Sequence, residues 1–209
     1  MTAMNVARFH ADFDRHPGDR VHLFETLSRH IEPTSVLYPG SYVDISPSVA
    51  FDRVTYVDSD DQAERFFSDS DGVEDLIRSK RDDSPTTLDV DFIHADYREP
   101  LELADGSFEL LVSLYSGLVT EHCVRYLAPG GCLLVNNSHG DAGIASLTPG
   151  LELVAVVDSR AGTYQVSTSH LNDHLVPKRG GEPTIESLRA SGRGIAYTRR
   201  PFAYLFEKG

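Results

Sequence analysis

The chain is short of several features that would place it at a glance. Only two of its 209 residues are cysteines, Cys123 and Cys132, too few for a disulfide framework and without a C-x-x-C metal spacing. They fit small buried residues in a reducing cytoplasm. Lysine is scarce too: Lys80, Lys178 and Lys208 are the only three, and the 32 acidic residues outnumber the 19 basic ones, for a net charge of −13. So acidic a body disfavours non-specific nucleic-acid binding, which needs a basic face against phosphates. No apolar run approaches the roughly 20 residues that span a bilayer, and the opening MTAMNVARFHADFD lacks a signal-peptide core. Neither a membrane span nor a secretory leader is expected. G-x-G-x-x-G is missing, which argues against a nicotinamide dehydrogenase. G-x-S-x-G is missing as well: Leu114 stands two residues before Ser116, so no nucleophile elbow of a serine hydrolase forms there.

What is present reads as one α/β domain over residues 1–209, since this length suffices for one well-buried core and is short for two. Residues 35–58 organise the rest. Val36, Leu37 and Tyr38 form a short, wholly apolar run that reads as a buried parallel strand, stopped by Pro39 and Gly40. Val54 to Val57 is β-branched and aromatic, a second strand, with Asp58 at its carboxyl end. In an open α/β sheet, ligands sit outside the carboxyl ends of the strands, and a carboxylate about 20 residues past a glycine turn suits a ribose diol. Ahead of this unit, residues 1–17 read as a short helix or arm. Val21, Phe24, Leu27 and Ile31 then recur at helical spacing until Glu32-Pro33, completing an N-terminal section over 1–33. After Asp58 come one or two helices, with Asp60 and Asp61 in a first turn and Gly72 as the expected break. Further strands follow over 88–93, 108–115, 132–137, 151–157 and 202–208, with a helix over 117–127. About 45 residues, 158–201, separate the last two strands, more than a hairpin needs. This stretch reads as an insertion or lid, within which GTYQVSTSHL can add a strand and PTIESLRASG a helix. It gathers Lys178, Arg179, Arg189, Arg193, Arg199 and Arg200, a candidate substrate or partner surface; a solvated excursion that balances an acidic body is equally compatible.

This order resembles class I S-adenosylmethionine (SAM)-dependent methyltransferases. The resemblance covers about residues 20–157 and the last strand. Its specific marks are the D-G-S-F stretch at Asp105, the L-x-P-G-G run Leu127 to Gly131 before a strand, and an aromatic final strand ending Phe206-Glu207-Lys208. It implies a three-layer Rossmann-like sheet of seven strands, mostly parallel, with the last antiparallel. It implies SAM as cofactor and a small-molecule substrate. The cofactor residues it suggests are Tyr38, Gly40 and Ser41 after the first strand, Asp58 and Ser59 after the second, Asp96 and Tyr97 after the third, and Ser113 on the fourth. In the family, the acid after the third strand often accepts from the adenine amino group; Asp96 matches it, although capping of the next turn is the plainer role. The family's acidic-x-Gly-x-Gly-x-Gly motif is represented by Tyr38, Gly40, Tyr42 and Asp44, so one glycine of three is kept.

Methyl transfer is an in-line displacement that rests on alignment, and a base helps only where the acceptor must lose a proton. Tyr115 and His139, at the ends of the fourth and fifth strands, are the candidate catalytic groups. His170 and His174, with Asp173 between, have metal-like spacing on a helix but no third ligand nearby, so no metal site is expected. No Asn/Asp-Pro-Pro-aromatic motif follows the fourth strand, which disfavours N-methylation of amides or bases. Two readings stay open: a methyltransferase acting on a small molecule, and a fold-retaining binding or regulatory protein without turnover. The second is suggested by Tyr42 and Asp44, whose bulk and charge would crowd the cofactor's methionine end.

Overall fold

The computed structural model describes residues 6–14, 20–81, 87–179 and 181–209. The parts of the expected N-terminal arm at 1–5 and 15–17 lie outside the described residues. The first helices are α1 (Val6–Asp14) and α2 (Val21–Leu27). They lead into β1 (Val36–Pro39), α3 (Ser46–Ala50) and β2 (Arg53–Asp58), followed by α4 (Asp61–Phe67), α5 (Ser70–Lys80) and β3 (Asp89–His94). Next come β4 (Phe108–Ser113), α6 (Val119–Cys123), β5 (Leu127–Val135) and α7 (Asp141–Leu147). The last elements are β6 (Leu151–Arg160), β7 (Thr163–Ser167), α8 (Ile185–Ser191) and β8 (Ala203–Lys208).

These strands make one sheet in the order β3-β2-β1-β4-β5-β8-β6-β7. The pairs β3/β2, β2/β1, β1/β4 and β4/β5 are parallel, whereas β8 runs antiparallel to both β5 and β6. The chain leaves β1 toward β2 and β3 and returns on the other side as β4. That reversal is the topological switch point, the place where such sheets open a crevice beyond the strand ends.

Both faces of the sheet are covered. Val36, Tyr38, Val54, Tyr56, Leu110 and Val112 pack toward the side of α1, α2 and α5, while Leu37, Val57, Leu111 and Leu133 pack toward the side of α6 and α7. This two-sided burial is why the strands read as continuous apolar runs, and it makes three layers. Lys208, on the last strand, donates to the carbonyls of Val124 (3.0 Å) and Leu127 (2.6 Å), satisfying the end of the turn between α6 and β5.

Several sequence expectations need correction. The sheet has eight strands, not seven, because residues past 157 continue to Arg160 and turn back through Ala161 and Gly162, both at positive φ, into β7. Gly72 does not break a helix. The break falls at Ser68 and Asp69, and Asp69 caps α5 by accepting from the Gly72 amide at 3.2 Å. Asp60 precedes α4 as its N-cap, accepting from Gln62 N, rather than lying in its first turn. The helix from Val21 ends at Leu27, with 28–30 as turns. The helix expected over 117–127 is only α6 plus a 3-10 turn over Val124–Tyr126. Residues 128–131 bulge out of the β4/β5 pairing, where Gly130 takes a positive φ. Within 158–201 the added strand is β7, and α8 starts from a capping box on Thr184.

Candidate functional site

A cavity of about 450 Å³ opens at the switch point. One wall carries Gly40 from the turn after β1, Asp58 and Ser59 from the end of β2, and Asp96 and Tyr97 past the end of β3. Residues 116–118, past β4, and His122 on α6 close the other side. Five of the eight residues expected around a cofactor therefore meet in one place.

Their electrostatics differ. Asp58 accepts from the backbone amides of Tyr42 (2.7 Å, Oδ2) and Asp60 (2.9 Å, Oδ1), so it pins the turn after β1 to the turn before α4. Each oxygen keeps one lone pair for a hydroxyl donor. Asp96 is forked by Arg98, whose Nε lies 2.9 and 3.0 Å from its two oxygens and whose Nη2 lies 2.5 Å from Oδ2. These hydrogen bonds and the Arg98 backbone amide hold the carboxyl down to about 2, so it is ionised throughout the neutral range. Tyr97 donates to the carbonyl of Ser116 at 2.5 Å, and burial, with the Asp141 charge next, pushes its hydroxyl up to about 12. The Tyr97 ring meets His122 edge-on at 6.1 Å.

Gly40 is required twice over. Its φ is +66°, and an added Cβ would stand 2.5 Å from Cβ of Ser116. Ser116 Oγ in turn donates to the Gly40 carbonyl at 3.1 Å, so the turns after β1 and β4 touch. Gly40→Ala is expected to lower stability by at least about 1–2 kcal/mol from the left-handed backbone alone. Urea unfolding checks this; an unchanged midpoint would show that the turn relaxes freely.

Three expected cofactor residues are elsewhere. Tyr38 is fully buried under the sheet, its hydroxyl donating to Asp44 (3.1 Å) and accepting from Arg20 (2.8 Å). Ser41 is buried and lines neither this cavity nor the one described next. Ser113 is also buried, and donates to Asp141 at 2.6 Å. In each case a strand or turn residue points into the packed layer instead of the crevice. The two residues expected to crowd the cofactor are displaced as well. Tyr42 holds a left-handed backbone (φ +50°), but its ring packs on Phe9 and its hydroxyl donates to Gln62. Asp44 is wholly buried against Arg20 and Tyr38.

Of the two candidate catalytic groups, Tyr115 lines a second cavity of about 330 Å³, bounded by Asn136, Asn137 and Ser138 after β5 and by Arg200 and Phe202 before β8. His139 is exposed and lines neither cavity, because the chain turns outward there before α7. The two cavities share a wall: Tyr115 faces one and Ser116 the other. Asn136 belongs to the polar run that the sequence places at the end of the fifth strand, on the crevice rim. Arg98 and His122 carry no such expectation, and of these two only Arg98, two residues from Asp96, has a local signal.

Two histidine arrangements stand outside both cavities. His170 and His174 lie at and within a 3-10 turn, not an α-helix, so the i, i+4 face is lost. Among the described residues Asp61, Glu64 and His94 also gather beside Ser59. There the His94 ring is engaged at both nitrogens, Nε2 by Ser59 O (3.1 Å) and Nδ1 by Glu64 (3.1 Å). The Ser59 carbonyl, with the acids behind it, raises the imidazole pKa.

No family model matches the sequence, and no curated protein matches it. Solved structures do match. The chain is similar to a methyltransferase from Geobacter sulfurreducens, with a TM-score of 0.51 and 14% identity, over 79% of this chain and 89% of that one. It is similar also to a protein from Klebsiella pneumoniae described as an O-methyltransferase, with a TM-score of 0.53 and 12% identity, over 77% of this chain and 86% of that one. At such identities the likeness is one of fold. The chain has the Rossmann-like fold of class I methyltransferases, with one strand added at the β6 edge.

Proposed function

We infer that the chain binds SAM in the cavity at the switch point and transfers its methyl group to a small molecule. One observation carries this: Asp58 and Asp96, from neighbouring strand ends, face one cavity with the turn after β1. Asp58 is fitted to accept the ribose hydroxyls, and Tyr97, Leu118 and His122 offer flat or apolar walls for the base. Asp96, its charge partnered by Arg98, supplies an acceptor for an exocyclic amine. SAM would bring the electrophilic methyl; the chain's own work is to hold both partners and exclude water. Tyr42 and Asp44 do not oppose this, since both side chains lie away from the cavity. On this reading, Tyr115 stands between donor and acceptor. His139 has no place in it.

A second reading, a nucleoside-binding protein without turnover, draws on the Ser116–Gly40 contact. Reacting atoms must come within about 3–3.5 Å, and that contact ties the turn after β1 to the turn after β4, where Tyr115 and Ser116 line different cavities.

Titration calorimetry with SAM and with its demethylated product decides the shared part. Saturable heat at micromolar ligand is expected, and silence at millimolar concentration would remove both readings. Asp58→Ala should weaken binding about tenfold or more, given roughly 1.5–3 kcal/mol for hydrogen bonds to a charged group. The melting temperature of the variant is read alongside, because Asp58 also holds Tyr42 and Asp60. Unaltered affinity in a folded variant would rule out the ribose role.

A further inference from the structure

The geometry points to the second cavity as a receptor for a planar aromatic carboxylate, with Arg200 and Asn136 taking the anion and Tyr115 and Phe202 the ring. That this ligand is the methyl acceptor rests on the function proposed above; that it binds does not.

Charge comes first. The chain carries 32 acidic residues, yet none of those lining this cavity is acidic, and its one charged lining residue is Arg200. Two cations of the same segment are engaged elsewhere: Arg199 pairs with Asp173 at 3.0 Å and Arg189 with Glu121 at 2.6 Å. Among the described residues, no acid pairs with Arg200. A guanidinium left open at the mouth of a cavity in so acidic a protein is matched to a carboxylate, which it binds in a fork.

Asn136 supplies a second donor. It is only 4% exposed. Its side-chain oxygen is fully used, accepting from Tyr115 N (3.2 Å), Ser138 N (3.4 Å) and Ser138 Oγ (2.9 Å). Its amide nitrogen donates to none of the described residues, while the residue lines the cavity. Its nitrogen is open to the cavity and free to donate to a ligand there.

The ring walls are rigid. Tyr115 and Phe202 stand 6.4 Å apart at 67°, and Phe202 is backed by Tyr164 at 5.1 Å. Tyr115 holds a left-handed backbone (φ +62°), uncommon for a bulky side chain and concentrated at functional sites. It is kept there by the Asn136 hydrogen bond and by Arg20, whose guanidinium lies 5.1 Å from the ring centroid. At 330 Å³ the space is near the lower end of the roughly 300–1,000 Å³ of small-molecule sites, room for one substituted ring.

The test uses the full chain with 4-hydroxybenzoate, phenol and cyclohexanecarboxylate, read by calorimetry and ligand-observed NMR without SAM. The benzoate is expected to bind at least tenfold more tightly than either comparator. Arg200→Gln, at an exposed position that should not disturb folding, is expected to weaken benzoate at least tenfold and leave phenol unchanged. Equal affinity for benzoate and phenol, or no effect of Arg200→Gln, would overturn the assignment. SAM titration of the wild-type chain is the separate arm. SAM binding without benzoate binding ends this inference alone. Benzoate binding without SAM binding upholds the site and ends its role as an acceptor.

Discussion

Arg20→Ala is expected to destabilise the fold by about 3–5 kcal/mol, the usual cost of stripping one partner from a buried ion pair. Arg20 lies immediately before α2 and reaches under the sheet, where its Nη1 meets Asp44 and, at 2.8 Å, the hydroxyl of Tyr38. Asp44 has no solvent exposure and Arg20 only 12%. Truncating the arginine strands a carboxylate whose other protein donors are the Tyr38 hydroxyl (3.1 Å) and the Ser46 amide (3.1 Å). The same change removes the cation beneath Tyr115, so the turn after β4 should loosen together with the one after β1. Urea unfolding measures the loss. Tyr38→Phe, which deletes the hydrogen bonds to Asp44 and from Arg20 but leaves the ion pair, should cost less, about 1.5–3 kcal/mol. The double variant Arg20→Met/Asp44→Asn should lose clearly less than the sum of its parts, since the two groups are in contact. If Arg20→Ala fell under about 1 kcal/mol, within the range of exposed pairs, the cluster would behave as a solvent-screened pair and the buried-pair account would be wrong.

That cluster also marks where sequence reasoning stopped. Strand positions were legible because apolar, β-branched runs such as Val54 to Val57 are local signals, and strand ends follow from them. Asp58 and Asp96 could therefore be placed at the crevice by counting. Which way Tyr38 points could not. A strand buried on both faces shows no alternation, so nothing in Val36, Leu37 and Tyr38 says which side chain faces α2 and which faces α6. For the same reason nothing local in the sequence shows that Ser113 faces Asp141 rather than the crevice. The partners of Tyr42 and Asp44, Phe9 and Arg20, lie more than twenty residues away, so no local signal shows where these two side chains turn. Gly72 misled in another way: in the first turn of α5 its amide is met by Asp69, so the glycine costs the helix little there. The second cavity was half legible. Asn136, Asn137 and Ser138 sat visibly at a strand end, but Arg200 joins them only because β8 inserts between β5 and β6.

Asp141 carries the other large expectation. It opens α7 and is 1% exposed, receiving the Ser113 hydroxyl at 2.6 Å and the Thr120 amide at 3.1 Å, so it ties the end of β4 to α6 and α7. Those hydrogen bonds and the helix start favour the ionised form, yet burial outweighs them. The carboxyl is pushed up from 3.8 to about 6, with the nearby Glu121 charge adding to the rise. The folded chain therefore binds more protons than the unfolded one between those two values. What this group contributes to stability is complete below about pH 4 and falls away as the pH rises through 6. At pH 8 the deficit is roughly 3 kcal/mol, since a tenfold change in proton affinity is worth about 1.4 kcal/mol. Asp141→Asn keeps an oxygen for Ser113 and Thr120 and carries no charge. It is expected to raise stability by roughly 2–3 kcal/mol at pH 8 and to change little at pH 4. Urea midpoints of both proteins at the two pH values measure the difference. A gain that did not depend on pH would assign the effect to packing, and a loss at pH 8 would mean that the ionised carboxylate holds these three elements together better than its neutral counterpart.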